Sequence, residues 1–252
     1  MLILGGTSEG RILAQKLAGD ARFVTLLSLA GRTRTLQLPS TPHRVGGFGG
    51  ADGLAAFLQR EGITALVDTT HPFAAQISAN AVKAAQITGT PLVRHARSAW
   101  RAEPGDRWLE VNDMAAAARA LGAVPKRVFL SIGRLEIAAF HSAPEHDYLV
   151  RAVDSFDPGL PHARLVTARG PFEFAAEREL LERERIEIVV SKNSGTTATY
   201  AKIAAARELQ LPVIMVKQPH LPAADERGSL EEIVLWLEQR WHQDTSAMRR
   251  GE

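Results

Sequence analysis

The chain has 252 residues, of which 45% are hydrophobic and 23% charged, and its formal net charge is only +2. This composition is typical of a globular protein. The mild basic excess comes without clustered Lys/Arg stretches and so argues against a nucleic-acid-binding protein. The sequence has no cysteine, which excludes disulfides, cysteine metal sites and a cysteine nucleophile.

No apolar run approaches the roughly 20 residues that span a membrane. The chain enters a predicted strand at Leu2 and leaves no room for a signal peptide. We therefore expect a cytoplasmic protein with no membrane partner.

In chain order, short apolar runs alternate with helix-like runs, and this alternation predicts parallel sheets flanked by helices. In the first part of the chain, strands are expected at residues 2–4, 23–28, 44–46, 65–68 and 92–94. Helices are expected between them at residues 10–17, 52–61 and 73–88.

The same alternation restarts after residue 107. Strands are expected at residues 108–111, 128–131, 148–151, 164–167, 186–191 and 213–216, and helices at 173–184 and 196–209. A last helix is predicted from the capping box of Ser229 and Glu232. Its apolar stripe consists of Leu230, Ile233, Val234, Leu237 and Trp241.

Two stretches of the chain share one layout. Residues 45–73 and 167–195 each contain a strand, a Gly loop, a helix, a strand and a polar loop. We therefore expect an α/β fold of two Rossmann-like lobes, each a parallel sheet flanked by helices, with an inter-lobe cleft. The predicted boundaries are 1–100 for a cofactor-binding lobe, 101–243 for a substrate-binding lobe and 244–252 for a flexible tail.

A glycine loop, GGTSEG, follows the first strand and opens the first helix. A Rossmann-type protein holds a dinucleotide diphosphate at this place, because the helix N-terminus offers N–H groups there. We expect Gly6, Thr7, Ser8, Glu9 and Gly10 to form this site, with the Thr7 and Ser8 hydroxyls donating to phosphate. The Glu9 carboxylate is expected to turn away, toward a backbone N–H or a ribose. The alternative is a tight turn without a ligand.

The end of the second strand favours NADP over NAD. NAD-binding proteins usually carry an acid there that binds the ribose hydroxyl, whereas LLSLAGRTRT, residues 26–35, contains none. Ser28, Arg32 and Thr33 are donors suited to the additional phosphate of NADPH. A solvated basic loop is the alternative.

The segment VDTTHPFA ends the fourth strand and places Thr70 and His71 at the edge of the sheet that carries the glycine loop. We predict that Thr70 lies near the cofactor and that His71 orients the substrate or donates a proton. A purely structural histidine is the alternative.

Basic and small polar residues end several strands of the second lobe. They are Arg134, Arg151, Arg169, Lys192, Ser194, Gly195 and Thr196. Because arginine binds carboxylates through paired donors, we expect these residues to bind a ligand with several carboxylates. Surface solvation is the alternative for each of them. The pattern predicts no metal site.

Several motifs together resemble the precorrin-6A reductase family of cobalamin biosynthesis. They are ILGGTSEGR, DTTHPFA, PLVRHARSAW, RGPF, SKNSG and KIAAARELQLPVIMVKQP, in this order from residue 2 to about residue 219. The resemblance implies NADPH-dependent reduction of one double bond in a corrin-precursor macrocycle that carries acetate and propionate groups. It also implies that residues 6–10 and 28–33 hold NADPH and that Thr70 and His71 lie near the nicotinamide. Lys192, Ser194 and Gly195 would face the carboxylates of the macrocycle.

Our hypothesis is a cytoplasmic NADPH-dependent reductase of a tetrapyrrole. Two alternatives remain at this stage. One is a different NADP-dependent oxidoreductase that acts on a small carbonyl or enoyl substrate. The other is a non-catalytic two-lobe protein that binds an anion. The sequence leaves open whether the substrate contains cobalt.

Overall fold

The structure is a computed structural model that describes residues 1–31 and 41–248, with side chains described up to residue 243. The strands are β1 (Leu2–Leu4), β2 (Leu26–Leu29), β3 (His43–Val45), β4 (Leu66–Asp68), β5 (Leu92–His95), β6 (Arg107–Val111), β7 (Arg127–Ser131), β8 (Asp147–Ala152), β9 (Ala163–Thr167), β10 (Ile188–Lys192), β11 (Pro212–Val216) and β12 (Asp225–Arg227). The helices are α1 (Ser8–Ala18), α2 (Gly50–Arg60), α3 (Ala75–Thr88), α4 (Met114–Ala120), α5 (Phe174–Arg183), α6 (Ala201–Glu208) and α7 (Leu230–Met248), with 3-10 helices at Arg134–Ser142 and Thr197–Thr199.

The chain forms two compact units. The first consists of Met1–Arg97 and His220–Glu252, and the second of Ser98–Pro219. Each unit contains one six-stranded sheet, and every strand pair in both sheets is parallel. The predicted class of two parallel-sheet α/β lobes is therefore confirmed.

The first sheet has the strand order β12-β5-β4-β1-β2-β3. Read from the other edge, this is the 3-2-1-4-5-6 order of dinucleotide-binding folds, with β12 as the sixth strand. The order reverses between β1 and β4, and ligands of such sheets bind outside the carboxyl ends of the strands at that point. The glycine loop and the polar loop after β4 both begin there.

The second sheet repeats this arrangement with the order β6-β11-β10-β7-β8-β9. Strands β7, β8, β9, β10 and β11 take the places of β1 to β5. The two similar stretches of sequence accordingly form β3-α2-β4 in one unit and β9-α5-β10 in the other, so the predicted internal repeat is confirmed.

Helices cover both faces of the first sheet because successive strand residues point to opposite sides. Ile3 lies with α1 and α7, in a cluster that includes Leu13 and Ile233. Leu2 and Leu4 lie on the opposite face, in a cluster with Leu54 of α2 and Ala81 of α3. Burial on both faces leaves the carboxyl ends of the strands as the place where polar loops meet.

The predicted lobe boundary is wrong at the C-terminal end of the chain. Residues 220–243 were assigned to the second lobe, but β12 pairs with β5 and α7 packs on the first sheet. The sequence of β12, Asp225–Arg227, lacks the apolar pattern of a strand because its side chains are partly or fully exposed. No strand was predicted there.

The last helix begins as predicted. The Ser229 Oγ accepts from the Glu232 N–H at 3.2 Å, and a Glu232 carboxylate oxygen accepts from the Ser229 N–H at 3.3 Å. Helix α7 continues to Met248, past residue 243 where we predicted its end. Residues 249–252 lie outside the described part. None of the helices in that part is long and apolar enough to cross a membrane.

Candidate functional site

A pocket of about 500 Å³ opens at the carboxyl ends of the central strands of the first unit. The residues that line it include Gly6, Ser28, Gly46, Phe48, Thr70 and His71. Four of these were predicted as site residues from sequence: Gly6, Ser28, Thr70 and His71. A pocket of this size is within the range of small-molecule and cofactor sites.

The glycines of the first loop are each required by the local geometry. Gly6 has φ +113°, which disfavours any residue with a side chain, and the space around its Cα is open. A Cβ on Gly10 would lie 2.6 Å from the Thr69 Oγ1, and a Cβ on Gly5 would lie 2.7 Å from a Leu27 methyl carbon. The turn therefore allows close approach to the backbone at Gly6 and close packing of α1 on the strands.

Thr7 caps α1, and its hydroxyl is used inside the protein. It donates to the Thr69 carbonyl at 2.8 Å and accepts from the Gly10 N–H at 3.3 Å. Its one proton is therefore directed to the Thr69 carbonyl in this structure, and the Thr7 hydroxyl contact with phosphate stays a prediction. The neighbouring Ser8 is exposed at the first turn of the helix.

The Glu9 carboxylate does turn away from the glycine loop, but its partner differs from those predicted. It accepts from the Arg97 guanidinium at 2.7 Å, and the Arg97 side chain is only 7% exposed. Neither a backbone N–H nor a ribose is needed to explain its direction. Because Arg97 neutralises Glu9, the carboxylate does not add a net negative charge beside the N-terminus of α1.

The loop after β4 is held by a buried carboxylate. The Asp68 Oδ1 accepts from the Thr70 N–H at 3.0 Å and from the Thr70 hydroxyl at 2.7 Å. The Arg94 Nε lies 3.5 Å from the other Asp68 oxygen, and Arg94 also contacts Glu226 of β12. Sequence reasoning did not assign a role to Asp68 or Arg94, although the charge of each inside an apolar strand was the available signal.

The ring orientation of His71 follows from one hydrogen bond. The Phe73 N–H donates to the His71 Nδ1 at 3.2 Å. Nδ1 is therefore the acceptor, and the neutral ring carries its proton on Nε2. His71 also lines the pocket, so this hydrogen bond fixes the orientation of a ring that borders it.

A cation that sequence reasoning missed lies beside Ser28, near the end of β2. Arg44 of β3 is the register partner of Ser28, and its Nη1 donates to the Ser28 Oγ at 2.8 Å. Arg32 and Thr33, which we predicted to bind here, lie outside the described residues. The signal for Arg44 was its position on the next strand, in a stretch without carboxylates.

In the second unit, the predicted basic residues occupy different environments. Arg134 and Arg169 are exposed, and the Lys192 Nζ donates to Glu136 at 2.9 Å. Arg151 is 5% exposed, forms an ion pair with Glu177 and lies over the Phe172 ring at 3.8 Å. The structure thus gives Arg151 an interior ion pair in place of the exposed position expected for a carboxylate-binding residue.

The loop after β10 is anchored by Asn193. Its amide oxygen accepts from the Trp100 N–H at 2.7 Å, and its amide nitrogen donates to the Trp100 carbonyl at 2.8 Å. Ser194 is buried beside the Thr199 hydroxyl, and Gly195 has φ +70°. Thr196 caps the short 3-10 helix that follows, with 3.4 Å between its Oγ1 and the Ala198 N–H nitrogen.

Lys202 was not singled out from sequence, yet it lies beneath this loop. It is 2% exposed, and its Nζ donates to the Thr199 carbonyl at 2.7 Å. Burial, with the nearby Arg151 charge as a smaller cause, lowers the pKa of Lys202 to about 7. No cluster of His, Cys, Asp or Glu that could hold a metal ion occurs among the residues that the structure describes.

Comparison with known proteins gives one family. The chain matches the family described as "Precorrin-6x reductase CbiJ/CobK" over residues 1–238. It is 49% identical over 245 residues to a precorrin-6A reductase of Sinorhizobium sp, covering 94% of this chain and 93% of the relative. The identity to a precorrin-6A reductase of Rhodobacter capsulatus is 48% over 239 residues, with coverage of 94% and 95%.

A solved structure titled "CobK precorrin-6A reductase" superposes with a TM-score of 0.89. It is 48% identical in sequence, and the match covers 94% of this chain and 95% of that one. This chain therefore belongs to the precorrin-6x reductase family.

Proposed function

We propose that this chain reduces one double bond of precorrin-6A in cobalamin biosynthesis, with NADPH as the hydride source and the cobalt-free macrocycle as substrate. The observation that carries the proposal is the pocket at the β1–β4 edge, where an open Gly6 backbone faces the start of α1. A reductase family with this pocket at its topological switch point is expected to bind a dinucleotide there.

The residues around the pocket fit such a cofactor. The backbone of Gly6, Thr7 and Gly10 and the Ser8 hydroxyl are suited to the diphosphate, because N–H groups at a helix N-terminus attract anions. Glu9 is paired with Arg97, so we assign it no direct contact with the cofactor. Ser28, Arg32 and Thr33 are assigned to the adenosine end, and Thr70 to the nicotinamide end.

When bound, NADPH supplies a hydride equivalent to the macrocycle. His71 is assigned as the proton donor, because it lines the pocket and its protonated ring can release a proton to the macrocycle and become neutral. Asp68 holds Thr70 and so fixes the loop that carries His71. The cofactor thus provides the reducing chemistry, and the protein provides position and a proton.

The second unit is proposed to bind the carboxylates of the macrocycle. Arg134, Arg169 and Lys192, with the loop residues Ser194, Gly195 and Thr196, supply positive charge and hydrogen-bond donors. Arg151 is assigned a supporting part, since it is buried against Glu177 and Phe172. The assignment of the substrate rests on these residues, and we further propose a cytoplasmic location.

The test is a turnover assay with purified protein. We expect the near-ultraviolet absorbance of NADPH to fall together with a change in the visible spectrum of precorrin-6A, and NADH to support much slower turnover. The cobalt-containing macrocycle is expected to be the poorer substrate. Tight binding of precorrin-6A without oxidation of either nucleotide would contradict the proposal and favour a binding protein. Turnover of a small carbonyl compound without turnover of precorrin-6A would favour a different NADP-dependent oxidoreductase.

A His71→Asn variant tests the proton donor. We expect the single-turnover rate of reduction to fall about 100-fold, a magnitude usual for loss of general acid catalysis, with NADPH affinity unchanged. The measurement is single-turnover reduction of precorrin-6A across pH, compared with His162→Asn, which changes an exposed histidine of the second unit. An unchanged rate in His71→Asn would assign the proton to another group or to water.

A further inference from the structure

We propose that Arg44, held by Ser28, binds the 2′-phosphate of NADPH and determines the preference for NADPH over NADH. The inference rests on the proposed function, because it assigns one residue of the same cofactor site. Four features of Arg44 carry it: its place in the sheet, its fixed orientation, its uncompensated charge and the composition of the surrounding chain.

Arg44 lies where the adenosine ribose binds in a dinucleotide-binding fold. Ser28 and Arg44 are register partners on β2 and β3, and Ser28 lines the pocket. The end of the second strand is where an acid binds the ribose hydroxyls of NAD and where an arginine accommodates the phosphate of NADP. The Arg44 Nη1 lies 2.8 Å from the Ser28 Oγ, so the guanidinium reaches this point from the neighbouring strand.

The orientation of the guanidinium is fixed on several sides. Nη1 donates to the Gly46 carbonyl and Nη2 to the Gly47 carbonyl, each at 2.9 Å. The guanidinium carbon also lies 4.0 Å from the centre of the Phe48 ring and 5.2 Å from that of Phe57. A cation held in this way loses little side-chain entropy when it binds a phosphate.

The charge of Arg44 is not balanced by a carboxylate. Four other arginines of the same unit have acidic partners: Arg22 has Asp20, Arg60 has Glu61, Arg94 has Asp68 and Arg97 has Glu9. Among the described residues no ion pair includes Arg44. Burial, followed by the nearby Arg60 charge, lowers the pKa of Arg44.

The composition of the surrounding chain supports the same assignment. From residue 21 to residue 51 the sequence contains no Asp or Glu. The stretch of residues 32–40 therefore has no carboxylate to offer, and it adds Arg32 and Arg34. A dianionic phosphate would supply the counter-charge that this region lacks, and an arginine fork matches its geometry.

The experiment is calorimetric titration of the full chain with NADPH, NADH and adenosine 2′,5′-bisphosphate. We expect Arg44→Met to lower the affinity for NADPH and for the bisphosphate roughly 10- to 100-fold, as for loss of hydrogen bonds to a charged group. NADH affinity should change less than about threefold, because NADH lacks the phosphate. Arg60→Met is the matched control, since it removes one positive charge from a paired arginine next to the same site.

The outcomes separate this inference from the proposed function. A wild-type chain that binds neither NADPH nor the bisphosphate contradicts the proposed function itself. A wild-type chain that binds NADPH, with equal losses of NADPH and NADH in Arg44→Met, shows that Arg44 only shapes the Gly46–Gly47 turn. Unchanged NADPH affinity also overturns the inference. If Arg44→Met fails to fold, Arg44→Lys replaces it, and a selective loss of NADPH affinity is again the expected result.

Discussion

Lys202 places an amino group in the interior of the second unit, where three other charged side chains act on it. Arg151 and Lys192 disfavour its protonated form and Glu177 favours it, but burial is the largest cause of the shift. The Nζ keeps one strong hydrogen bond, to the Thr199 carbonyl. The charge state of Lys202 therefore affects the segment around Thr199, which follows the loop that we assign to substrate binding.

This burial predicts a pH-dependent stability. The pKa of Lys202 is about 7 in the folded chain, whereas a lysine side chain in water has the ordinary value of 10.5, which applies to the unfolded chain. Between these values the unfolded chain binds more protons, so the free energy of unfolding should rise with pH, by up to about 1.4 kcal/mol per pH unit. We expect Lys202→Met to lack this rise between pH 7 and 9.5.

The measurement is urea unfolding at several pH values, with Lys217→Met as the control because Lys217 lies half-exposed in the same unit. The control should retain the slope of the wild type. Equal slopes in Lys202→Met and the wild type would show that the amino group remains protonated in the fold.

Some site residues can be predicted from the local sequence, whereas the partners of others are known only from the fold. Gly6 and Gly10 were predictable because a strand-to-helix turn with backbone contact requires glycine. The partners of Thr7 and Glu9 were not, because Thr69 and Arg97 approach from loops that follow other strands. A hydroxyl or a carboxylate in a sequence has many acceptable partners, and only the fold selects one.

At the scale of elements, the contact between α1 and the loops of the sheet depends on Gly10. A Cβ there would meet the Thr69 hydroxyl and would also lie 3.1 Å from the Gly5 Cα. We expect Gly10→Ala to lower the free energy of unfolding by about 1–3 kcal/mol, the usual cost of overpacking, and to lower the affinity for NADPH. The displaced helix would shift the N–H groups that we assign to the diphosphate.

The matched control for this helix is Gly19→Ala. Gly19 follows α1, has φ −87° and has no atom within 4 Å of an added Cβ. This change should leave stability unaltered or raise it by roughly 0.4–1 kcal/mol, since it restricts the unfolded chain. Urea unfolding and NADPH titration of both variants make the comparison. Equal stability of Gly10→Ala and Gly19→Ala would contradict the close packing.

Helix and strand positions were predicted well where the apolar pattern is strong. The buried strands β1, β4, β7 and β10 have near-continuous apolar sequences because helices cover both faces of each sheet. The 3-10 helix at Arg134–Ser142 and the strand β12 were missed, since neither carries such a pattern. Besides the pairing with β5, polar contacts hold β12: Glu226 accepts from Arg94, and Asp225 accepts from the Trp236 indole N–H.

At the scale of the whole molecule, the two units repeat one sheet order, but their sixth strands come from different parts of the chain. In the first unit the sixth strand is β12, which follows the entire second unit, and in the second it is β6, which precedes the rest of that unit. The second unit is therefore inserted between β5 and β12 of the first. Ile233, Trp236 and Leu237 complete the core of the first unit after this insertion.

Local patterns of apolar, glycine and polar residues were enough to predict the class of fold, the internal repeat, the glycine loop and the family resemblance. The place of the C-terminal segment, the pairing of each carboxylate with its arginine and the position of Arg44 beside Ser28 became visible in the folded chain. These contacts join residues far apart in the chain, and their energies depend on burial and distance, which no local pattern records.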